Sequence, residues 1–373
     1  MTVGPATGAA LTFPPFPADV DTPRVVVDLT RVKANIARVQ DEMDRRGIAL
    51  RPHAKTHKSL AIARLQLAAG AVGITVGTLG EAEVFVAGGI DDVFLAYPVW
   101  AAGPKAARVR ALHEAAPRLR IGIDSAAGAR RLADAVDPSR HPLTVLVEVD
   151  PGNRRTGLAS PGAVVDVARA ARAAGLRVAG VFSHGGHGYG PGKAASAGDD
   201  EVRTLGDAAA ALAAAGFTVD TISAGSTPTM ATAAAGDVGE IRAGTYVFGD
   251  RQQWVLGAIP AEGCALAVAA TVVSVHSDRI VLDAGAKALT KDRAVWLTGH
   301  GAIVGYPDLV IERVHDYHGI VPIPSAIDRP ALGEVVAVIP NHVCPVVDLV
   351  DDVTVLTPAG LERWSIDARG RSG

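Results

Sequence analysis

Between Ile48 and Gly249 the chain repeats one unit eight times: a short apolar run, a turn, then a stretch with helical spacing. The apolar runs are Ala49 to Pro52, Gly73 to Val76, Asp92 to Ala96, Arg120 to Ile123, Thr144 to Glu148, Val178 to Phe182, Val219 to Ser223 and Glu240 to Phe248. Between them Ala101 to Ala115, Ala126 to Val136, Pro161 to Ala174 and Val202 to Ala215 read as helices. Runs this continuous suit strands buried on both faces, as parallel strands are. Eight alternations predict an α/β protein built on a closed (β/α)8 barrel rather than an open doubly wound sheet.

After Asp250 the rhythm changes. Cys264 to Val275, Arg279 to Asp283, Gly333 to Pro340 and Val353 to Leu356 are β-type runs between glycine and proline turns. A chain of 373 residues also exceeds what one core usually holds. The expected division is an N-terminal arm over 1–23, a barrel over 24–250 and a mainly β domain over 251–373. The arm is rich in Pro, Ala and Gly without periodicity and reads as loosely held. Thr30 is the expected cap of a helix from Arg31 to Arg46, whose buried face is Val32, Ile36, Val39 and Met43.

Composition narrows the function classes. Net charge is −3 with scattered basic residues, 49% of residues are hydrophobic and 20% charged. Nucleic acid and anionic membrane are not expected partners. Neither a signal peptide nor an uncharged apolar run long enough to span a bilayer is present. Two cysteines, Cys264 and Cys344, make no disulfide framework, so a cytoplasmic location is expected.

Barrel enzymes place their chemistry at the C-terminal strand ends. Reading those positions in order collects Lys55; Thr78 and Glu81; Tyr97; Asp124; Asp150, Arg154 and Arg155; His184, His187 and Tyr189; Gly225, Ser226 and Thr227; Gly244, Thr245 and Tyr246. Lys55 lies in Arg51-Pro52-His53-Ala54-Lys55-Thr56-His57-Lys58 and is either a solvated loop residue or an amine held in a cleft for Schiff-base chemistry. Ala224-Gly225-Ser226-Thr227 is either a plain turn or a phosphate cradle, and Gly244-Thr245 on the adjacent strand supplies a second lobe. His184-Gly185-Gly186-His187-Gly188-Tyr189 joins backbone freedom to imidazoles able to move protons. In the β domain, Pro340-Asn341-His342-Val343-Cys344-Pro345 would, as a strand, point His342 and Cys344 to one face, as metal ligands or as a buried cysteine beside a chance histidine.

The eight-residue lysine motif, followed by Gly77-Thr78-Leu79-Gly80-Glu81-Ala82-Glu83, resembles the signature of the D-threonine aldolase and D-serine dehydratase family of pyridoxal-phosphate enzymes, which have the alanine racemase fold. The resemblance spans residues 24 to 356. It implies that Lys55 carries pyridoxal 5'-phosphate and that the Gly225 to Thr227 and Gly244-Thr245 segments grip its phosphate. It further implies that Arg155, rather than Arg154, faces the pyridine nitrogen, that Tyr189 lies beside the cofactor, and that the strand Arg24 to Asp28 joins the second domain. Pro-Asn-His-x-Cys-Pro is similar to the metal motif of the dehydratases; the aldolases carry aspartate at the Cys344 position. A cysteine ligand suits zinc better than magnesium or calcium.

The expected function is therefore that of a metal-assisted pyridoxal-phosphate lyase for D-β-hydroxy amino acids, with Lys55, His187 and Tyr189 catalytic and a divalent metal, zinc before manganese or magnesium, on His342 and Cys344. Two outcomes are open: elimination from a D-serine or D-threo-3-hydroxyaspartate type substrate to a keto acid and ammonia, or retro-aldol cleavage to glycine and an aldehyde with His187 as base. The cysteine ligand and the histidine–glycine loop favour elimination. A racemase is a more distant alternative, and residues 250–373 argue against a non-catalytic cofactor carrier. By analogy with the fold a homodimer is expected.

Overall fold

A computed structural model describes residues 10–17, 19–139, 141–324 and 328–373. Strand β1 (Arg24–Asp28) leads into helix α1 (Leu29–Arg46), which buries Val32, Ile36, Val39 and Met43. Its start is capped by Asp28, whose carboxylate accepts from Thr30 N at 2.9 Å, so Thr30 lies inside the helix instead of capping it. Asp28, two residues earlier, wins because its oxygen reaches both the Thr30 and Arg31 amides.

The chain divides into two compact units. One comprises Val39–Lys55, Ile62–Gly244 and Gly370–Gly373. In it lie strands β2 (Ala49–Leu50), β3 (Ile74–Val76), β4 (Val93–Leu95), β5 (Arg120–Ile123), β6 (Thr144–Glu148), β7 (Arg177–Phe182), β8 (Thr221–Ala224) and β9 (Glu240–Ile241), all parallel, in the order β2-β9-β8-β7-β6-β5-β4-β3. An isolated parallel bridge between His53 and Thr75, with Thr75 N donating to Pro52 O at 2.8 Å, brings the two end strands together and closes the barrel. Helices α2 (Leu60–Ala68), α3 (Leu79–Ala87), α4 (Pro104–Ala115), α5 (Ala126–Val136), α6 (Pro161–Ala173), α7 (Ala194–Ala214) and α8 (Met230–Ala233) follow the strands. Ser125 and Ser160 cap α5 and α6, and Pro104 and Pro161 sit where a missing N–H costs nothing.

Two elements differ from expectation. The eighth strand ends at Ile241 instead of reaching Phe248: His53 N still pairs with Ala243 O, but after Gly244 the backbone coils into a 3₁₀ turn over Thr245–Val247. Helix α7 starts at Ala194, a full two turns before Val202. Gly198 and the Asp199-Asp200 pair look like breakers in sequence; in the fold Gly198 lets the helix approach Thr232, where a Cβ would sit only 2.6 Å from that side chain.

Arg51, the first residue of the lysine motif, turns inward at the barrel floor. Only 1% exposed, its guanidinium donates to Glu240 Oε2 at 2.7 Å and Asp92 Oδ1 at 2.5 Å. Ser223 Oγ donates to the same glutamate, and Arg242 Nη1 donates to Ser223 Oγ at 2.6 Å. Removing one member of a buried charge network leaves its partners desolvated and unpaired. Arg51→Ala is therefore expected to lower stability by about 3–5 kcal/mol, read from urea denaturation; a loss no larger than that of a surface arginine would show that the network carries no weight.

The other unit holds the chain through Arg38, Thr56–Ala61 and Thr245–Arg369. After α9 (Arg251–Val255) come β10 (Leu266–Val275), β11 (Arg279–Leu282), α10 (Ala286–Leu289), β12 (Ala302–Ile303), β13 (Arg313–Val314), β14 (Gly319–Pro322), β15 (Val335–Ile339), α11 (Val343–Asp348), β16 (Asp352–Thr357) and β17 (Gly360–Ser365). These strands and β1 form one sheet, with β1 antiparallel to β10 and parallel to β16. Residues 1–9 and 18 of the expected arm lie outside the described residues. The rest is not loose: Leu11, Phe13 and Phe16 pack on Ile259, Cys264, Ala267 and Ile339, and Arg31 donates to Thr12 O at 2.7 Å. Proline-rich composition hid three large apolar side chains that needed a surface to cover them.

Candidate active site

At the barrel mouth Lys55 sits in a 3₁₀ turn over Ala54–Thr56 and is exposed. Its backbone N donates to His53 Nδ1 at 3.4 Å. Burial, then the positive charges of Lys55 and other neighbours, hold both His53 and His184 well below the ordinary histidine range, so both rings are neutral at pH 7. The His184 ring lies 6.2 Å from that of Tyr189. His53, inside the lysine motif, and His184, ranked behind His187 in sequence, are thus the imidazoles that feel the Lys55 charge.

After β6, Asp150 accepts from the amides of Gly152 and Arg154 at 2.9 and 3.0 Å and folds the loop, leaving Arg154 in the left-handed region at φ 55° and exposed. Arg155 Nη2 lies 4.0 Å from Glu148 Oε1. Glu148 is buried, accepts from Thr156 Oγ1 at 2.8 Å, and has its Oε2 without a partner among the described residues. Burial raises its carboxyl above the usual range, against the pull of Thr156 and Arg155.

The histidine–glycine loop after β7 needs its glycines: a Cβ on Gly185 would lie 2.5 Å from Glu201 Oε2, and one on Gly186 2.5 Å from Asn153 Oδ1. His187 Nε2 donates to Asp200 Oδ2 at 3.2 Å. Its Nδ1 is buried with no partner among the described residues, and remains as the acceptor.

Gly225 and Ser226 lie on the expected strand end, but their amides are already engaged. Gly225 N donates to Glu201 Oε1 at 3.1 Å and Ser226 N to Thr229 Oγ1 at 2.9 Å. The expectation that these two N–H groups cradle a phosphate is corrected accordingly. Ser226 Oγ also lies 3.0 Å from Thr229 Oγ1. Glu201, fully buried, also accepts from Ser183 Oγ at 3.1 Å and Thr229 Oγ1 at 2.7 Å, so one carboxylate pins the loops after β7 and β8. Gly244 and Thr245 are buried at the end of β9. Sequence reasoning missed Glu201 and Asp200 because it began α7 after them, and it missed Glu148, which it took only as the end of an apolar run.

In the other unit the metal motif is not a strand. β15 ends at Ile339, and His342 is the N-cap of α11, with Cys344 in its first turn. Pro345 explains this: it has no N–H for a ladder but fits the first helical turn. The sulfur of Cys344 nevertheless acts on the His342 imidazole and favours its charged form. Asp250 fastens the motif. It is fully buried, caps α9 by accepting from Gln253 N at 2.8 Å, and accepts from Val343 N at 3.1 Å. Burial lifts its carboxyl to about 6, against the His342 charge. Burial would lower the His342 imidazole, but Cys344, Asp292 and Asp250 outweigh it and raise it to about 11. An imidazole and a thiol are donors of the type that zinc takes. Among the described residues no group of three or more His, Cys, Asp or Glu side chains is placed to hold a metal ion.

The second half of the lysine motif packs against this helix. Cys344 Sγ donates to Thr56 Oγ1 at 3.4 Å, and Lys58 Nζ lies 2.6 Å from Asp348 Oδ1. Thr56 directly follows Lys55 in the chain.

Residues 27–252, more than half the chain, match the family described as "Alanine racemase, N-terminal domain", and residues 265–356 match the "Putative serine dehydratase domain". A D-threo-3-hydroxyaspartate dehydratase of Delftia sp. is 35% identical over 87% of this chain and 91% of its own length. A D-threonine aldolase of Arthrobacter sp. is 35% identical over 98% of both. A solved D-threo-3-hydroxyaspartate dehydratase, a cysteine-to-alanine mutant in the metal-free form, superposes with a TM-score of 0.84 at 32% identity, covering 93% of this chain and 97% of its own. A barrel with a lysine at its mouth, followed by this β unit, defines a pyridoxal-phosphate-dependent lyase. The chain belongs to the alanine racemase family, in the branch that joins the racemase-type barrel to a serine dehydratase domain.

Proposed function

We propose that this lyase eliminates the β-hydroxyl of a D-β-hydroxy amino acid of the D-threo-3-hydroxyaspartate or D-serine type, giving a keto acid and ammonia. The observation that carries the reading is the Cys344–Thr56 hydrogen bond, which holds a thiol beside the residue next to Lys55. Pyridoxal phosphate, when bound, supplies an electron sink for charge released at the substrate Cα.

Lys55 Nζ would hold the cofactor, and as a free amine it would be the group that takes the Cα proton. Arg155, exposed beside Glu148, can face the pyridine nitrogen; a guanidinium donates there without giving up a proton. Neutral His53 and His184 surround the lysine without adding charge, and Tyr189 stands against His184. Ser226 and Thr227, with Gly244 and Thr245, are the phosphate candidates. His342 and Cys344 would hold a zinc ion, which would supply Lewis-acid assistance to the leaving hydroxyl.

One feature favours a second reading. Asp200 holds His187 Nε2–H, leaving Nδ1 as a base able to deprotonate the β-hydroxyl and cleave Cα–Cβ. The dehydratase and aldolase relatives are equally similar, so identity does not choose. Product analysis does: the protein with pyridoxal phosphate and zinc is given D-serine, D-threonine and D-threo-3-hydroxyaspartate separately. Keto acid with ammonia is expected; glycine with an aldehyde, and no keto acid, would replace elimination by the aldolase reading.

A further inference from the structure

The geometry points to Asp292 as a positioning residue for the metal, the carboxylate of a carboxylate–histidine–metal triad built on His342. The inference rests on the proposed metal role of His342 and Cys344.

His342 Nδ1 and Asp292 Oδ2 lie 2.5 Å apart, although the residues are 50 apart in sequence. An imidazole that spends Nδ1–H on a carboxylate keeps its lone pair on Nε2, and with the ring rotation fixed, that nitrogen becomes a directed and more basic ligand. The partner is itself held. Asp292 N donates to Thr290 Oγ1 at 3.1 Å, and Thr290 ends α10 in the left-handed region at φ 66°, a conformation that a β-branched residue adopts only when its surroundings impose it. From the other side Asn341, adjacent to His342, donates to Gly299 O at 2.8 Å and accepts from Arg251 Nη1 at 3.1 Å. Asn341 also donates to Asp292 O at 3.5 Å, so the backbones of loop and motif are tied together beside the His342–Asp292 side-chain pair. Its side chains are 34% and 50% exposed, and ion pairs that wet contribute little to folding. A contact so well braced yet so weak as a staple makes sense as an orienting one.

The test is zinc affinity of the full-length metal-free protein, measured by competition with a chromophoric chelator, for wild type, Asp292→Ala, Asp292→Asn and His342→Ala. Asp292→Ala is expected to weaken zinc binding about 10–100-fold, with the thermal midpoint of the metal-free protein unchanged. Asp292→Asn, whose amide oxygen still accepts from Nδ1–H, is expected to fall between. With cobalt(II) in place of zinc, the thiolate-to-cobalt absorption should persist in Asp292→Ala, because Cys344 is untouched, while the ligand-field bands move. Zinc affinity equal to wild type in Asp292→Ala and Asp292→Asn overturns the triad alone. Equal affinity in His342→Ala, or no zinc uptake by wild type, overturns the metal reading beneath it and the triad with it.

Discussion

Lys55→Ala is expected to abolish the visible absorbance of the lysine-bound cofactor and to lower turnover by about a thousandfold or more. The size of the effect follows from two jobs resting on one nitrogen, anchoring the cofactor and moving the Cα proton. Lys58, three residues on, is committed to Asp348 at 2.6 Å, and its backbone is in the left-handed region at φ 49°. A guanidinium is a poor nucleophile, so no arginine substitutes for the lysine. The measurement is the absorbance spectrum of the variant with added pyridoxal phosphate, beside initial rates on the best substrate. An unchanged band would place the cofactor elsewhere and remove the basis of the proposed function.

Removal of the metal carries the second large effect. Lewis-acid assistance to a leaving hydroxyl is worth several kcal/mol, so chelation should slow elimination about a hundred- to thousandfold. The cofactor band should persist, since Lys55 is not a metal ligand. Zinc added back should restore wild type but neither His342→Ala nor Cys344→Ala. In Cys344→Ala the lost thiol also removes the contact to Thr56. A modest disturbance of the Lys55 turn, seen as a shifted but intact band, is therefore expected there and not in His342→Ala. Full activity after exhaustive chelation would mean that the hydroxyl leaves without a metal and that the His342–Cys344 pair serves another purpose.

Both variants leave the barrel floor untouched, which separates chemistry from folding. The lysine motif itself divides along that line. Arg51 is buried and pairs with Asp92 and Glu240; Lys55 is exposed at the mouth, and Thr56 and Lys58 contact α11. Eight consecutive residues read in sequence as one signature serve three separate sites.

Local pattern was sufficient for the barrel, because each strand and helix reports its own burial: continuous apolar runs for strands covered on both faces, and a serine or proline at the start of α4, α5 and α6. Which residues stand at the strand ends follows from the same pattern, and Lys55, Arg155, His187 and Tyr189 were legible for that reason. Long-range pairing left no such mark. The 149 to 156 loop gave no hint that Glu148 would be buried with one oxygen unmatched, and nothing near His342 announced Asp292 fifty residues away. In sequence the start of α7 reads as Val202 for a related reason. Gly198 looks like a helix breaker when only the chain is considered, but it is the point at which α7 closes on Thr232 and carries Asp200 and Glu201 into the site. Sequence by itself determined the elements, their order and the motifs, since propensity and periodicity act over a few residues. Only the tertiary structure decided which polar groups are spent on one another and which are left for a ligand: the Gly225 and Ser226 amides are consumed by Glu201 and Thr229, whereas His187 Nδ1 and Glu148 Oε2 are not. A hydrogen bond's partner is set by where the fold brings two distant segments together, and that proximity is a property of the packed chain.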